Sequence, residues 1–292
     1  MGETARWTRF DDGCHSLDLL TASYRRHAFT RHSHVTYAIG VVTRGEEQFH
    51  YRGALRRAGV GSLAILEPDE PHDGMAARPE GWTYRVLYPT EELLFDGRSG
   101  RAAFREPIVE DPRTVYLVRS AHEELTAGAD PLAAHSKLVW AFAAVIERHG
   151  TAHPRPGGPR AARPRPVGPR AADPAAVRKV AEIRDRLLAD LRCAPSLREL
   201  AAGVELSPYH MLRVFRDATG FPPHAWLVLE RVCHARHLLA AGRTPVEVAG
   251  AAGFADQAHL TRWFKRVTGV TPAAFRNSVQ DATRPARVQS GA

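Results

Sequence analysis

The fold is decided near the C-terminal end of the chain, by the stretch TPVEVAGAAGFADQAHLTRWFKRVTGVTPAAFR at residues 244–276. Its spacing predicts two short helices joined by a tight turn. Thr244 is followed by a proline and, three residues on, by a glutamate, which is the pattern of a helix N-cap with a capping box. Gly253 marks the turn, Asp256 can cap a second helix, and Gly269 can end it.

The second helix of this stretch is predicted to be amphipathic. Its apolar face carries four large side chains: Leu260, Trp263, Phe264 and Val267. Its opposite face carries small, polar or cationic side chains: Ala258, Thr261, Arg262 and Lys265. A helix with one buried face and one such exposed face is suited to entering the major groove of DNA.

An earlier segment repeats this pattern. Residues 196–220 contain two further capping signals, at Ser196 and Ser207, and end on Gly220. Five positions match at a constant offset of 49 residues, with Arg213, Phe215, Arg216, Thr219 and Gly220 recurring as Arg262, Phe264, Lys265, Thr268 and Gly269. One long helix is predicted between the copies, at 226–241. The C-terminal part of the chain is therefore predicted to hold two helix-turn-helix units.

Residues 16–88 carry the signal of β structure instead. Runs rich in Val, Ile, Tyr, Phe and Leu alternate with turn clusters, and they predict strands at 17–24, 38–43, 47–51, 62–66 and 82–88. Short strands at close, even spacing predict a barrel or a double-sheet jelly roll. The period then changes to 3.6 residues, which predicts two helices, at 113–127 and 131–148.

Composition divides the chain into four segments. We expect an N-terminal domain at 1–150, a linker rich in Pro, Arg and Ala at 151–173, a basic C-terminal domain at 174–280 and a flexible tail at 281–292. The linker has no periodic apolar set, so it cannot form a core of its own.

Charge and cysteine content narrow the class of protein. The net charge of +8 is uneven, because residues 1–149 carry −3 and the remaining residues carry +11. A polyanion partner is therefore predicted for the C-terminal part alone. The three cysteines form no CxxC pair, which favours free thiols over a disulfide or a zinc site. Since no apolar run has the length of a membrane span, we expect a cytoplasmic protein with no membrane partner.

The chain resembles regulators of the AraC/XylS family in both parts. The segments LSPYHMLRVFRDATG (206–220) and ERVCHARHLLAAGRTPVEVAGAAGFADQAHLTRWFKRVTGVTPAAFR (230–276) are similar to the double helix-turn-helix domain of that family. The segment FTRHSHVTYAIGVVTRGEEQFHYRGALRRAGVGSLAILEPDEPHDG (29–74) is similar to its cupin-type sensing domain. The resemblance implies an α+β two-domain protein. An N-terminal cupin-like β-barrel with trailing helices would precede a C-terminal all-α domain with two helix-turn-helix units. The resemblance further implies that the domain at 1–150 senses a ligand and dimerises, and that the domain at 174–280 binds DNA.

The same resemblance implies a transcription regulator, not an enzyme, with no catalytic residues and no cofactor. Its expected partners are double-stranded DNA, a small-molecule effector, RNA polymerase and a second copy of the chain. The side chains implied for DNA contact lie on the two recognition segments: Tyr209, Leu212, Arg213, Arg216, Gln257, Ala258, His259, Arg262 and Lys265. Two alternatives stay open, a cupin metalloenzyme carrying a DNA-binding domain and a nucleoid-type binder without sequence preference.

Three histidines of the predicted barrel invite a metal hypothesis. His32 and His34 point the same way from one strand, and in the resembled sensing domain a third histidine, here His72, returns to them. The metal-binding cupin pattern also has a glutamate soon after the second histidine, where this chain has residues 36–38. We therefore expect no bound metal. We expect His32, His34, Tyr37 and His72 to line a small-molecule pocket, and the alternative is that the histidines only satisfy local hydrogen bonds.

Overall fold

The structure is a computed structural model that describes residues 2–11, 16–95, 101–127, 131–153 and 174–283. Strands and three helices make up the N-terminal part of the described residues, and seven helices make up the C-terminal part. The predicted α+β fold class, with a sheet-rich part followed by a helical part, is confirmed. None of the described helices is both long and apolar enough to cross a membrane.

Two antiparallel sheets that share one long strand form the N-terminal part, beside a separate two-stranded sheet. The strands are β1 (Thr4–Asp11), β2 (Ser16–Tyr24), β3 (Phe29–His32), β4 (Ala38–Tyr51), β5 (Ala54–Gly59), β6 (Leu63–Leu66), β7 (His72–Ala76), β8 (Trp82–Tyr88), β9 (Arg101–Phe104), β10 (Ile108–Val109) and β11 (Gly150–His153). One sheet has the order β1-β2-β8-β4-β6-β10, and in the other β4 pairs with β5 and β7, and β7 with β3.

Strand β4 joins the two sheets by changing partners at a β-bulge. Its first half pairs with β6 and β8, and its second half pairs with β5 and β7. At the change, two residues of β4 stand opposite the single residue Thr83, and Gly45 follows with a φ of 69°. A Cβ on Gly45 would lie 2.0 Å from the carbonyl oxygen of Gly81, so the site requires glycine. The prediction of two separate strands at 38–43 and 47–51 is therefore wrong, because one bulged strand replaces them.

The bulge changes which side chains of β4 face the space between the two sheets. Before it, the even-numbered residues Ala38, Gly40 and Val42 line the space between the sheets. After it, the odd-numbered residues Glu47 and Phe49 do so. A strand without a bulge would keep one parity throughout, because successive side chains point to opposite faces.

A second core lies between one sheet and the helices that follow it. These helices are α1 (Glu91–Leu94), α2 (Pro112–Ala127) and α3 (Pro131–His149). The stripe predicted for α2 is buried as expected: Val115, Val118, Ala121, His122 and Leu125. It packs with Leu138, Phe142 and Val145 of α3 and with Ile39 and Leu87 of the sheet.

Two expected segment borders fall inside regular structure. The linker expected at 151–173 starts within β11, which pairs with β9, and residues 154–173 lie outside the described residues. The tail expected at 281–292 starts within the last helix, and residues 284–292 lie outside the described residues.

The C-terminal part folds as two similar helical units. Its helices are α4 (Pro174–Ala189), α5 (Leu197–Gly203), α6 (Pro208–Thr219), α7 (Pro223–Ala240), α8 (Pro245–Ala251), α9 (Gln257–Thr268) and α10 (Pro272–Thr283). Both predicted capping boxes form, at Ser196 for α5 and at Thr244 for α8. Gly220 and Gly269 end α6 and α9 in the same left-handed conformation, each with a φ of 78°. The repeat in the sequence is thus a repeat in structure.

The sheets and the helical units share one hydrophobic core. Trp7 of β1 stacks on Tyr88 with ring centroids 5.1 Å apart, and it meets the ring edge of Phe275 in α10 at 5.5 Å. Its indole N–H donates to the carbonyl of Thr268, at the end of α9, over 3.3 Å. Because this hydrogen bond and both ring contacts are buried, the two parts of the chain are packed together as one body.

Candidate DNA-binding surface and internal cavity

Helix α6 presents its predicted DNA-contacting side chains on an exposed face. Tyr209 is 76% exposed, and Arg213 and Arg216 are exposed as well. Leu212 is half-buried at the edge of that face. Met211 on the opposite side is fully buried and anchors the helix in its unit. The exposed face therefore combines a phenol with two guanidinium groups, which can meet base edges and phosphates.

Helix α9 repeats this arrangement in the second unit. Four of its predicted contact residues are exposed: Gln257, Ala258, Arg262 and Lys265. His259 differs, because its ring packs edge-on against Phe254 at 5.4 Å and is half-buried. The carboxylate of Asp256 accepts the backbone N–H of His259 over 2.7 Å, which fixes the start of the helix. Arg262 thus occupies the exposed position in α9 that Arg213 occupies in α6.

Helices α6 and α9, the two recognition helices, both end against the N-terminal part. A Cβ on Gly220 would lie 2.4 Å from Cγ of Pro71, and a Cβ on Gly269 would lie 2.0 Å from the hydroxyl oxygen of Tyr24. The same end of each helix is therefore held by the sheets. The exposed side chains lie along the rest of each helix, where Arg213 and Arg262 form no ion pair within the described residues.

A cavity lies between the two sheets. Its polar lining comes from several strands: His32, His34, Glu47, His72, Asp73, Tyr84 and Tyr88. Val267 and Thr268, the last residues of the recognition helix α9, complete the wall. The space open to the centres of water molecules is about 50 Å³. This space suits a few waters or a small ligand, and a larger ligand has to move part of the wall.

The three predicted histidines come together in this cavity. Their ring centroids lie 4.8 Å apart for His32 and His34, 4.4 Å for His32 and His72, and 5.0 Å for His34 and His72. The Nδ1–H of His32 donates to the carbonyl of Thr30 over 2.8 Å, and the Nδ1–H of His72 donates to the carbonyl of Glu70 over 2.9 Å. The Nε2 atoms of these two rings are left as acceptors.

Burial sets the charge of the cavity. Burial and the neighbouring imidazoles lower the pKa values of His32 and His34 well below their ordinary range, and burial lowers the pKa of His72 to about 4. All three rings are therefore neutral at pH 7. Burial, with the charge of Asp73 adding to it, raises the pKa of Glu47 to about 8. The cavity accordingly holds neutral acceptors beside a carboxyl group that ionises only above neutrality.

Tyr37 does not belong to this site. Its side chain is fully buried in the second core, where it meets the ring of Phe104 edge-on at 6.0 Å. The reason is parity, since Tyr37 precedes β4 on the odd-numbered side, which faces α2 and α3 before the bulge. The expectation that Tyr37 lines the pocket is therefore wrong, and His32, His34 and His72 alone of that set line it.

Five polar lining residues were not predicted from the sequence: Glu47, Asp73, Tyr84, Tyr88 and Thr268. Tyr84 and Tyr88 are an even number of residues apart in β8 and therefore share one face, so the period-two pattern of that strand could have predicted that they lie together. The position of Glu47 depends on the bulge at Gly45. Thr268 enters through a contact between distant parts of the chain, for which the sequence carries no local signal.

The fold and these two sites define the class of the protein. It joins a double-sheet domain with an internal cavity to a double helix-turn-helix domain. A family model described as "AraC-like ligand binding domain" matches residues 15–142, and one described as "Helix-turn-helix domain" matches residues 200–278. The chain belongs to the AraC/XylS family.

Two curated relatives are similar to about a third of the chain. The HTH-type transcriptional regulator RipA of Corynebacterium glutamicum is 36% identical over 100 residues, which are 34% of this chain and 30% of RipA. The arabinose operon regulatory protein of Escherichia coli strain K12 is 31% identical over 94 residues, which are 32% of each protein. The chain thus spans about a third of the length of the relatives it matches.

One group of solved structures is similar over nearly the whole chain. The crystal structure of unsaturated fatty acid bound ToxT from Vibrio cholerae strain SCE256 aligns with a TM-score of 0.54, covering 97% of this chain and 98% of ToxT. At 11% sequence identity, this likeness shows a common fold and order of domains.

Proposed function

We propose that the protein is a sequence-specific DNA-binding transcription regulator that responds to a small molecule bound between its two sheets. The observation that carries the proposal is the pair Arg213 and Arg262. These arginines occupy equivalent, exposed positions on two repeated helices of a basic domain, and neither forms an ion pair with any residue that the structure describes. Arginines on a merely solvated surface need not occupy equivalent positions, whereas arginines that read bases in two successive major grooves do.

The exposed side chains divide by role. Arg213 and Arg262 have the forked donors that hold the O6 and N7 atoms of guanine. Arg216 and Lys265, toward the later turns, suit phosphates, which position the protein without specifying sequence. Gln257 and Ala258 lie in the first turn of α9, where base edges come closest, and Tyr209 has the same place in α6.

The effector would act through the wall that the cavity shares with α9. Val267 and Thr268 line the cavity and also end the helix that carries Arg262. A ligand that fills or widens the cavity changes the position of this helix end, and α6 rests on the same domain through Gly220. Occupancy of the cavity would therefore bias the relative placement of the two recognition helices. The protein would bind and signal rather than catalyse a reaction.

Helices α2 and α3 support self-association as part of this proposal. Three large apolar side chains are exposed on them: Tyr116, Val139 and Trp140. Trp140 is 71% exposed, which is unusual for tryptophan on a surface without a partner. A homodimer through this surface would carry twice the number of DNA-contacting helices. A regulator of this kind would also contact RNA polymerase, and it would act in the cytoplasm.

The test begins with genome-wide mapping of bound DNA to obtain a specific sequence. R213A and R262A are then each expected to weaken binding to that sequence by about 1–3 kcal/mol and to relax one base position, because a bidentate base contact is lost. The matched control is R243A, which removes an exposed arginine between α7 and α8. Equal loss on specific and random duplexes would contradict base reading by these arginines.

A further inference from the structure

We propose that His32, His34 and His72 form a binding site for one divalent transition-metal ion, with Zn²⁺ as the reference ion. Their ring nitrogens lie within 4.8 Å of one another, and no other such cluster of metal-ligating side chains occurs in the described part of the chain. The inference departs from the expectation from the sequence that no metal is bound. It does not rest on the proposed DNA function.

Hydrogen bonds orient two of the three rings as metal ligands. The Nδ1–H groups of His32 and His72 each donate to a backbone carbonyl two residues earlier. Metal-binding histidines commonly use their second nitrogen in this way, which fixes the tautomer and leaves the Nε2 lone pair for the ion. His34 forms no side-chain hydrogen bond within the described residues, and its ring packs against those of His32 and His72, so a rotation of the ring can turn a nitrogen toward the same point.

The spacing of the rings fits a single ion. A metal about 2.1 Å from each nitrogen, at angles between octahedral and tetrahedral, places imidazole centroids about 4.5–5.3 Å apart. The three centroid distances here are 4.4, 4.8 and 5.0 Å. The ligand nitrogens of a loaded site would lie about 3.0–3.4 Å apart, so small ring rotations have to bring them together from their present spacing.

The surrounding charges permit a cation. The charge of Arg236 contributes to the lowered pKa values of His32 and His34, but its guanidinium is paired with Asp18 over 2.6 Å. Asp73 lines the same cavity and supplies negative charge. The imidazoles themselves are neutral acceptors, so the ion displaces no proton from them at neutral pH.

Three imidazoles would leave part of the coordination sphere open to the cavity. Zinc sites with three protein ligands bind water or a small molecule in the remaining position. The cavity has room for this, about 50 Å³ open to water centres. All-nitrogen ligand sets favour Zn²⁺, Co²⁺, Ni²⁺ and Cu²⁺ over Mg²⁺ and Ca²⁺, which take oxygen ligands.

The experiment uses the full chain, stripped with EDTA and titrated with Co²⁺ and then with competing Zn²⁺. We expect one equivalent of Co²⁺ to bind, with visible absorption that Zn²⁺ abolishes and Mg²⁺ does not. H34A and the conservative H34Q should each weaken Co²⁺ binding by at least about 100-fold, since a ligand is lost rather than a supporting group. H32A and H72A should do the same.

The chain has 15 histidines, so surface binding needs a control. H224A and H50A remove imidazoles that are exposed and lie outside the cluster, and both should retain the full equivalent. Circular dichroism melting separates loss of ligand from loss of fold, and H34Q serves where an alanine variant does not fold. Binding of less than half an equivalent by the wild type, or full binding by folded H34Q, would overturn the proposal. Neither result affects the DNA-binding test of R213A and R262A.

Discussion

Arg236 of α7 places its Nη2 2.6 Å from Oδ2 of Asp18 in β2, across the boundary between the helical units and the sheets. The guanidinium also lies 4.6 Å from the ring centroid of Trp7, and Arg9 donates to the other oxygen of Asp18 over 2.7 Å. The side chains of the pair are only 13% and 14% exposed. A largely buried ion pair therefore connects the helical units to the sheets next to the cavity.

Removing one partner of this pair should destabilise the protein strongly. We expect R236A to lower the free energy of unfolding by about 3–5 kcal/mol, because Asp18 would keep a charge in a site with little solvent. Urea unfolding followed by tryptophan fluorescence measures this, since Trp7 lies against the pair. R9A is the matched control and should cost less, as it leaves the pair intact. If R236A and R9A lower the free energy of unfolding equally, the ion pair between Arg236 and Asp18 contributes no more to stability than the contact of Arg9.

The end of the recognition helix α9 gives a second prediction. G269A should destabilise the packing of α9 on the sheets by about 1–2 kcal/mol or more, because alanine is strained at a φ of 78° and its Cβ would collide with the hydroxyl of Tyr24. Tyr24 cannot retreat easily, since its ring packs between Phe29 and Trp82. Thermal or urea unfolding measures the effect.

The helix α8 supplies the control for this substitution. A Cβ on Gly250 would meet nothing within 4 Å, so G250A should be neutral or stabilising by up to about 1 kcal/mol. Adding Y24F to G269A removes the colliding hydroxyl and should recover part of the loss. If the double variant recovers nothing, backbone strain alone accounts for the effect.

Glu47 predicts a dependence of stability on pH. Its pKa is raised from 4.5 to about 8, mainly by burial, so the folded protein keeps a proton that the unfolded chain releases. The contribution of Glu47 to stability is therefore greatest below about pH 4.5 and declines as the pH rises toward 8. The decline is at most about 1.4 kcal/mol per pH unit.

The pH test compares two adjacent glutamates in metal-free protein. E47Q should remove this decline, so that the variant gains stability relative to wild type between pH 5 and about 8. E46Q is the control, because Glu46 lies on the outer side of β4 and pairs with Arg78 over 3.3 Å. Denaturant unfolding at a series of pH values gives both differences. A constant difference between E47Q and wild type over this range would contradict the raised pKa.

How much of the structure could be predicted from the sequence depends on how far apart in the chain the interacting residues lie. Helix caps such as Ser196, Thr244 and Gly269 involve neighbours within a few residues, so the helix-turn-helix units and their repeat could be predicted in detail. The exposure of Arg213 and Arg262 could be predicted as well, because it depends on the helical period. The cavity depends on which face each strand residue takes, and one bulge at Gly45 inverts that choice for half of β4. Glu47 was therefore missed. Tyr37 lies before the bulge, and its assignment failed because its parity is opposite to that of Ala38, Gly40 and Val42, which line the cavity.

The bulge itself gives the last prediction. G45A should lower the free energy of unfolding by more than about 2 kcal/mol, because a Cβ at a φ of 69° would lie 2.0 Å from the carbonyl oxygen of Gly81. That oxygen belongs to the backbone and cannot rotate away. G59A in β5 is the control, since its Cβ would meet nothing within 4 Å and its φ is not in the left-handed region.

The same variant tests the link between the bulge and the cavity. If the bulge sets the parity of β4, folded G45A should also lose the environment of Glu47, and its stability should no longer decline between pH 5 and 8 as in wild type. Denaturant unfolding at pH 5 and pH 8 measures this. A destabilised G45A with the wild-type pH dependence would show that Glu47 keeps its position without the bulge.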